Sequence, residues 1–321
     1  MPLSSSEGDE IMAKKIITVN TNTGASWDAI GRSANTQKID AALKAVGLDF
    51  EVEKRALFFG PNMKGIKDKF ATVRCDKDAY LGIVGKSYEI CQNEDAFSFA
   101  DYIDSKMKFT RGGMTYSGLC WVVGELPAIQ ILGENYTPCV VLQNSFNGKF
   151  KVRANIVALN QANFAQFTIP AGVANTISIL HKASLPARMK QGQEMLIGVR
   201  EYMDNLRRIA EKYASIKMDK EQIEMFLGVL FPVKEKMNET AKAKILKKRQ
   251  ELLACYDNAG NKAHYGNAWG LIRAYADYVT HKDEKKGKNA GERKFIATSL
   301  SSYNFDGFLK KLEGVTGVKV A

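Results

Sequence analysis

The chain has 321 residues, of which 45% are hydrophobic, and it carries a formal net charge of +11 at pH 7. No apolar run approaches the ~20 residues that a membrane helix needs, and the polar, acidic start MPLSSSEGDE has no apolar signal region behind it. These features predict a cytoplasmic protein with no membrane partner. Because Met12 is a second candidate start, residues 1–14 are predicted to form a flexible tail.

The first half of the chain is predicted to fold as a largely antiparallel sheet with two helices. Residues 37–46 have helical spacing and end at Gly47, and Asn93 is expected to cap a second helix. The remaining apolar runs are short and typical of strands. These strands are predicted at 49–59, 69–75, 80–84, 87–91, 107–111, 114–125, 138–145 and 149–157.

After residue 185 the pattern becomes helical. Helices are predicted at 186–214, 219–230, 234–256, 266–282 and about 303–313, and the charged, glycine-containing segment 283–293 is predicted to be a mobile basic loop. A sheet followed by helices indicates an α+β fold and not a parallel, nucleotide-binding α/β fold. We therefore expect a β-rich domain at 15–185 and a helical region at 186–321 that packs on it.

The segment VVLQNSFNGKFKVRANIV (140–157) predicts a β-hairpin around Asn147-Gly148. A two-residue turn would mix apolar and cationic residues on both faces. A three-residue loop, 146–148, pairs Ser145 with Lys149 and separates the two kinds, so we choose it because register follows the hydrophobic pattern. Lys149, Lys151 and Arg153 then share one strand face at ~6.6 Å intervals, a spacing that suits the phosphates of an extended nucleic-acid strand.

Further cations point to the same class of partner. Residues 182–321 hold 27 Lys+Arg against 17 Asp+Glu, a net charge of +10, whereas residues 1–181 carry only +1. Such asymmetry favours a polyanionic partner, most often nucleic acid. Candidate phosphate contacts are Lys247, Lys248 and Arg249 in a basic helix and Lys285 and Lys286 in the predicted loop. Tyr116 and Trp121 lie on opposite faces of a regular strand, so at most one of them can stack on bases.

Catalytic motifs are missing from the sequence. It has no G-x-x-x-x-G-K-[ST], H-E-x-x-H, G-x-S-x-G or G-x-G-x-x-G, and GIVGKS (82–87) lacks the first glycine of a P-loop. Five scattered cysteines without a C-x-x-C pair favour reduced thiols, and three histidines make a His-rich metal centre a poor interpretation. We therefore expect no cofactor, no metal site, no catalytic residues and no enzyme activity.

The segment YGNAWGLIRAYADYVTH (265–281) combines aromatic, charged and histidine residues. Its apolar positions Trp269, Ile272, Ala276 and Val279 recur at helical spacing, which favours a helix packed in a core over a ligand site. On another face, Arg273, Asp277 and His281 recur every four residues. Arg273 and Asp277 are predicted to pair along this polar ladder.

Several blocks in the same order resemble the phage/plasmid-like protein family, a domain of unknown function carried by bacteriophages and plasmids. They are SWDAIG (26–31), ALKAVGLDFEVE (42–53), YLGIVGKSYEICQNEDAFSFAD (80–101), KVRANIVALN (151–160), ISILH (177–181), AWGLIRAYADYVTH (268–281) and KFIATSL (294–300). We take as signature residues Trp27, Gly82, Asn93, Trp269, Arg273, Asp277 and His281. Two positions depart from the pattern: a Val-Cys-Asn strand signature reads Arg153-Ala154-Asn155, and Asp28 stands where a histidine is expected.

This resemblance implies a mobile-element protein in the cytoplasm of a bacterial host, with no settled activity. The predicted architecture is also similar to that of Rad52/Redβ-type single-strand annealing proteins, an analogy of fold alone. Together they predict an ATP-independent protein that binds and anneals single-stranded DNA in phage or plasmid recombination or replication, as a homo-oligomeric ring or filament. RNA is an alternative ligand. The alternative functions are a host-takeover or anti-restriction protein that binds a host protein, and an uncharacterised nuclease.

Overall fold

A computed structural model describes residues 24–169, 176–178, 184–283, 287–301 and 303–318. The strands are β1 (Arg32–Thr36), β2 (Val52–Phe59), β3 (Lys64–Arg74), β4 (Ala79–Gly85), β5 (Lys108–Met114), β6 (Leu119–Glu125), β7 (Ile129–Ile131), β8 (Glu134–Ser145), β9 (Arg153–Asn160), β10 (Gln166–Phe167) and β11 (Thr176–Ser178). The helices are α1 (Ile39–Val46), α2 (Asn93–Phe97), α3 (Leu185–Ala214), α4 (Lys220–Leu230), α5 (Glu239–Tyr256), α6 (Ala268–Asp277), α7 (Ala290–Ser299) and α8 (Tyr303–Thr316). Shorter 3-10 helices lie at Ser26–Ala29, Ser98–Tyr102 and Ala259–His264, and a π-helical turn at Tyr278–Lys282 follows α6.

Two antiparallel sheets form the first half of the fold. The large sheet runs in the order β1-β5-β6-β8-β9-β10, with β7 paired to β8 and β11 paired to β9. The small sheet has the order β2-β3-β4. With helices filling the second half, the predicted α+β class is confirmed. In the described part of the chain, no helix combines the length and the apolar character that crossing a membrane takes.

The centre of the large sheet is buried on both faces, so the middle of β6 (120–123) and of β8 (139–142) is apolar at consecutive positions. Val122 and Val140 belong to a main core that also contains residues of α1, α3 and α6. Their neighbours Val123 and Val141 point the other way, into a smaller core that contains Trp27 and Phe295. Because side chains alternate along a strand, two covered faces bury every register position, and buried polar residues such as Asn144 and Asn155 are hydrogen-bonded.

Several predicted element boundaries agree with the structure, and others are wrong. Helix α1 is confirmed, and Gly47 ends it with a φ of +73°. Residues 87–91 form no strand, and the predicted strand 114–125 is interrupted by a turn at 115–118. Helix α5 begins at Glu239 instead of 234, because the Asn238 side chain accepts a hydrogen bond from the Ala241 amide at 2.8 Å and caps it there.

Asn93 does not cap the second helix as predicted. It is the first residue of α2 and is buried, and its side-chain amide donates to the Leu48 carbonyl at 2.9 Å. Its side-chain oxygen accepts a hydrogen bond from Asn144 at 3.1 Å. The asparagine therefore joins α2 to β8 and to the chain after α1, because a buried amide must satisfy both its donor and its acceptor.

Helix α7 was not predicted as a helix. It begins at Ala290 and so takes up the last four residues of the segment 283–293 that was predicted as a loop. Its Phe295 is buried against Trp121, with ring centroids 4.6 Å apart. Packing on the second face of the sheet therefore stabilises a helix whose own sequence is short and charged. Lys285 and Lys286 lie outside the described residues.

The predicted hairpin register is wrong by two residues. β8 pairs Gln143 with Arg153, and residues 146–152 form a seven-residue loop. Gly148 does adopt the expected left-handed conformation, with a φ of +71°. The loop is longer because Phe146 is buried in the main core, which prevents it from sitting in a tight exposed turn. Consequently Lys149 and Lys151 lie in the loop, and the regular row of three cations along a strand does not form.

Candidate nucleic-acid interface

The loop 146–152 and the turn 115–118 meet at one end of the large sheet. The Asn147 side-chain amide donates to the Ser117 carbonyl at 2.6 Å, and its oxygen accepts from the Lys149 amide at 3.0 Å. Gly118 has a φ of +83°, and a Cβ there would lie 2.7 Å from the Asn147 amide nitrogen. The turn therefore needs a glycine for its conformation and for the close approach of Asn147.

The small sheet holds the same loop from the other side. The Thr72 hydroxyl donates to the Phe146 carbonyl at 2.7 Å, and the Phe146 ring packs on Phe50 with centroids 5.8 Å apart. A Cβ at Gly82 would lie 2.5 Å from the Asn147 Cβ, so a side chain at this signature position would displace the loop. Loop 146–152 is thus fixed between two sheets before it reaches solvent.

Four side chains at this end are available to a partner, and we name them the lysine–tyrosine end: Tyr116, Lys149, Lys151 and Lys288. The Tyr116 ring is 78% exposed, the highest exposure among the large hydrophobic side chains of the described residues. The Lys288 ammonium lies 5.5 Å from the centre of that ring. Lys149 and Lys151 are exposed as well, and none of the three lysines forms an ion pair with a residue that the structure describes.

One acidic residue beside the turn is already hydrogen-bonded to it. Glu292, in the first turn of α7, is buried, and its Oε2 accepts a hydrogen bond from the Ser117 amide at 3.4 Å. This contact places the start of α7, and with it Lys288, beside Tyr116. The arrangement offers a ring face with cations around it, which is the pattern that binds a base and its neighbouring phosphates.

The other predicted contacts fall elsewhere. Arg153 is half-buried in β9 beside the buried Gln143. Trp121 is not a stacking platform: it is only 1% exposed, because α7 covers its face of the sheet. In α5, the Arg249 guanidinium donates to the Phe231 carbonyl at 2.7 and 3.0 Å, and Lys247 pairs with Glu251 at 3.5 Å. A third residue there, Lys248, is exposed, but α5 packs on α6 and the π-helical turn, in the helical layer.

Helix α6 is buried along its whole length, and its arginine has a partner that the sequence did not suggest. Arg273 lies 2.6 Å from Glu134 at the start of β8, and it also donates to the side chain of Asn261 and to the Gly260 carbonyl. The predicted Arg273–Asp277 pair does not form, since the guanidinium reaches across to the sheet. His264 lies 3.8 Å from Glu134, and burial, aided by Arg273, lowers its pKa below the usual 6.5.

The rest of the polar ladder is also internal. Asp277 lies 3.7 Å from His281, and burial raises the pKa of this carboxyl above its ordinary value. Burial likewise raises the pKa of the adjacent Cys255 thiol well above its usual range, so this cysteine is no thiolate nucleophile. The His281 Nε2 contacts the Asn163 carbonyl at 2.8 Å and fixes the loop after β9. Asn163 and Cys255 are distant from α6 along the chain, so no local pattern pointed to them.

A cavity of about 600 Å³ opens on the second face of the large sheet. Trp27 and Phe164 contribute apolar walls, and Asp28, Arg111 and Glu125 contribute charge. Arg111 pairs with Asp28 at 2.6 Å. Asp28, which stands where the family pattern has a histidine, therefore has a structural role. Two carboxylates against one guanidinium do not suit a phosphate backbone. No group of three His, Cys, Asp or Glu side chains among the described residues could hold a metal ion.

Comparison with known proteins gives one finding. A family model described as "Domain of unknown function (DUF932)" matches residues 80–299. No curated protein and no solved structure matches the chain. The matched region contains the turn 115–118, the loop 146–152, helix α6 and the whole of α7.

Proposed function

The chain belongs to the DUF932 family, a domain of unknown function, and from its surface we propose that it binds single-stranded nucleic acid, with DNA as the ligand, at the lysine–tyrosine end. The observation that carries this proposal is the exposed ring of Tyr116 with Lys288 beside it and Lys149 and Lys151 on the adjoining loop. A base can stack on the ring while its phosphates contact the lysines. Such binding tracks the backbone and needs neither nucleotide hydrolysis nor a metal.

The wider setting is part of the same proposal. Strands held by their backbones leave their base edges free, so the protein would also anneal complementary strands without ATP. The resemblance to phage/plasmid-like proteins supports a place in the recombination or replication of such elements, in the cytoplasm of a bacterial host. Arg153 would extend the path only if it is drawn out from beside Gln143, because the folded structure leaves it half-buried.

Binding of a fluorescent single-stranded oligonucleotide across a salt series tests the site. We compare the natural protein with the triple variant Lys149→Gln, Lys151→Gln, Lys288→Gln. Each phosphate contact on a single strand contributes about 0.7 to the slope of log affinity against log salt, so we expect the slope to fall by about 2. An equal-length RNA strand in the same assay determines whether RNA is bound as well.

A charge-matched control separates local contacts from overall charge. The variant Lys220→Gln, Lys234→Gln, Lys236→Gln also removes three positive charges, but from exposed positions in and after α4. It should keep the natural slope. If both variants lose affinity equally, the binding depends on net charge and the proposed site is wrong.

The alternative functions predict different results. A host-takeover or anti-restriction protein that acts on a host protein would show no binding of single-stranded DNA even at low salt. A nuclease would shorten the strands when magnesium is present, whereas the proposed protein speeds the pairing of complementary labelled strands and leaves their length unchanged. Annealing is read by energy transfer between the two labels.

A further inference from the structure

The small sheet extends beyond the body of the molecule as a two-stranded arm. β4 pairs with β3 only from Lys69 to Arg74, so residues 64–68 have β2 as their one strand neighbour. We call residues 57–69 the arm. A two-stranded hairpin is at best marginally stable in water without something to pack on.

The arm nevertheless exposes large apolar side chains. Phe58 is 53% exposed, Phe59 56% and Met63 65%, and Ile66 lies close by. Cations lie among them: Lys64, Lys67 and Lys69 are all exposed, against a single acid, Asp68. None of these lysines forms an ion pair with a residue in the part of the chain that the structure describes. Clustered exposed apolar residues are a usual mark of an interaction site.

A groove of about 410 Å³ on the same molecule has the complementary character. Its floor is formed by Leu43, Leu48 and Phe50, which are themselves buried and expose little apolar surface. Its walls carry five carboxylates and no basic side chain: Asp40, Asp49, Glu51, Glu94 and Asp95. Asp95 is paired with Arg188 at 3.2 Å, which leaves four carboxylates without an ion-pair partner among the described residues. We call this site the acidic groove.

The arm cannot occupy the acidic groove of its own chain. The groove is formed partly by residues 48–51, immediately before β2, and the tip of the arm at Gly60 lies eight residues further along that strand. At ~3.3 Å per residue the tip is about 26 Å away and directed outward. A second copy of the chain can present its groove to the arm without this restriction.

We propose that the arm of one molecule docks in the acidic groove of the next, with its lysines against the carboxylates and its apolar side chains packed between the groove walls. Arm and groove are different surfaces, so the contact is head-to-tail and generates a closed ring or an open filament. The proposal does not depend on the DNA-binding function. Exposed rings among lysines also suit nucleic acid, but the carboxylates of the acidic groove complement the arm's lysines and favour a second copy of the chain, and the test below includes DNA as an outcome.

Charge reversal tests the contact in the absence of DNA. The arm variant is Lys64→Glu, Lys67→Glu, Lys69→Glu, and the groove variant is Asp49→Lys, Glu51→Lys, Glu94→Lys; all six positions are exposed, and circular dichroism checks that each variant folds. At concentrations of tens to hundreds of micromolar, where sedimentation velocity should show assembly of the natural protein, each variant alone should be monomeric. An equimolar mixture should assemble again, because each reversed surface then meets its complement.

A chain with all six reversals should also assemble by itself. Three outcomes would overturn the proposal: a natural protein that stays monomeric throughout this range, an arm variant that assembles like the natural protein, or a mixture that stays monomeric. An arm variant of unchanged mass that loses DNA affinity would identify nucleic acid as the partner of the arm instead. If Lys149 and Lys151 prove not to bind DNA, the masses measured by sedimentation do not change. The two proposals are therefore tested independently.

Discussion

Helix α6 and the lysine–tyrosine end both combine aromatic rings with cations, but their surroundings are opposite. In α6, all ten residues are buried, and Glu134 and Asn261 hold the Arg273 guanidinium. At the lysine–tyrosine end, the ring is exposed and Lys149 and Lys151 have no ion-pair partner among the described residues. The partners of a cation therefore separate a stabilising role from a binding role, since a cation that is already paired and desolvated has little left to offer a ligand.

The largest effect expected from this contrast is on stability. Arg273→Met removes one half of a buried ion pair and leaves Glu134 without its partner, so we expect a loss of about 3–5 kcal/mol in the free energy of unfolding. Urea denaturation measures it. DNA affinity per folded molecule should not change.

The double variant Arg273→Met, Glu134→Gln provides the control for that experiment. It should recover part of the loss, because the uncompensated buried charge is gone. If Arg273→Met unfolds at the same urea concentration as the natural protein but loses DNA affinity, the roles assigned to the two regions are reversed.

The next effect is on binding. Tyr116→Ala should weaken single-stranded DNA binding by about 1–3 kcal/mol, the usual worth of one base stacked on an aromatic ring. Because the ring is exposed, the free energy of unfolding should stay within about 0.5 kcal/mol. Fluorescence anisotropy and urea denaturation measure the two quantities on the same sample.

Tyr80→Ala is the matched control, since Tyr80 is 63% exposed but lies on the small sheet. It should leave DNA affinity unchanged. Tyr116→Phe should also bind normally, as stacking needs the ring and not the hydroxyl. Equal losses of DNA affinity for Tyr116→Ala and Tyr80→Ala would show that Tyr116 is not a specific stacking site.

The sequence predicted what depends on local pattern. The α+β class, helix α1 with its terminal Gly47 and the left-handed Gly148 all follow from periodicity and from residues with strong backbone preferences. The apolar stripe through Trp269 and Ile272 is also confirmed as core. These features need only residues that are neighbours along the chain.

Features that depend on distant residues were missed. The hairpin register failed because Phe146 finds a place beside Phe50, and helix α7 was overlooked because Phe295 draws its stability from Trp121. Trp121 looked like a stacking candidate for the same reason: nothing near it in sequence shows that a helix covers its face. Lys288, which completes the candidate site, lies in the segment 283–293 that the sequence predicts as a mobile basic loop. Its place beside Tyr116 depends on the fold of α7.

A pH series sharpens the description of the buried region. Burial lowers the pKa of His264 in the folded state below the unfolded value of 6.5, with Arg273 acting in the same direction and Glu134 against it. The unfolded chain therefore binds the proton more readily. The contribution of His264 to stability is complete above pH 6.5 and is lost as the pH falls through the folded pKa.

Between pH 6.5 and 5 the loss from this one group has a ceiling of about 2 kcal/mol, since each pH unit is worth ~1.4 kcal/mol for one proton. Urea denaturation at a series of pH values measures the loss. His264→Gln should remove this part of the pH dependence, and the difference between the two proteins isolates it from the other titrating groups. A variant with the same pH profile as the natural protein would show that His264 protonates equally in both states.

The smallest effect is expected where the interface should end. Lys247→Gln breaks an exposed pair with Glu251 and should cost no more than about 0.5 kcal/mol of unfolding free energy, and Lys248→Gln should cost nothing measurable. Both lysines lie on α5 in the helical layer, so the double variant should keep the salt slope of DNA binding. A slope lowered by about 1.4, or 0.7 per contact, would extend the nucleic-acid path from the loops of the sheet to the helices. In that case, DNA binding would depend on the total positive charge of the second half more than on whether a given lysine lacks an ion-pair partner.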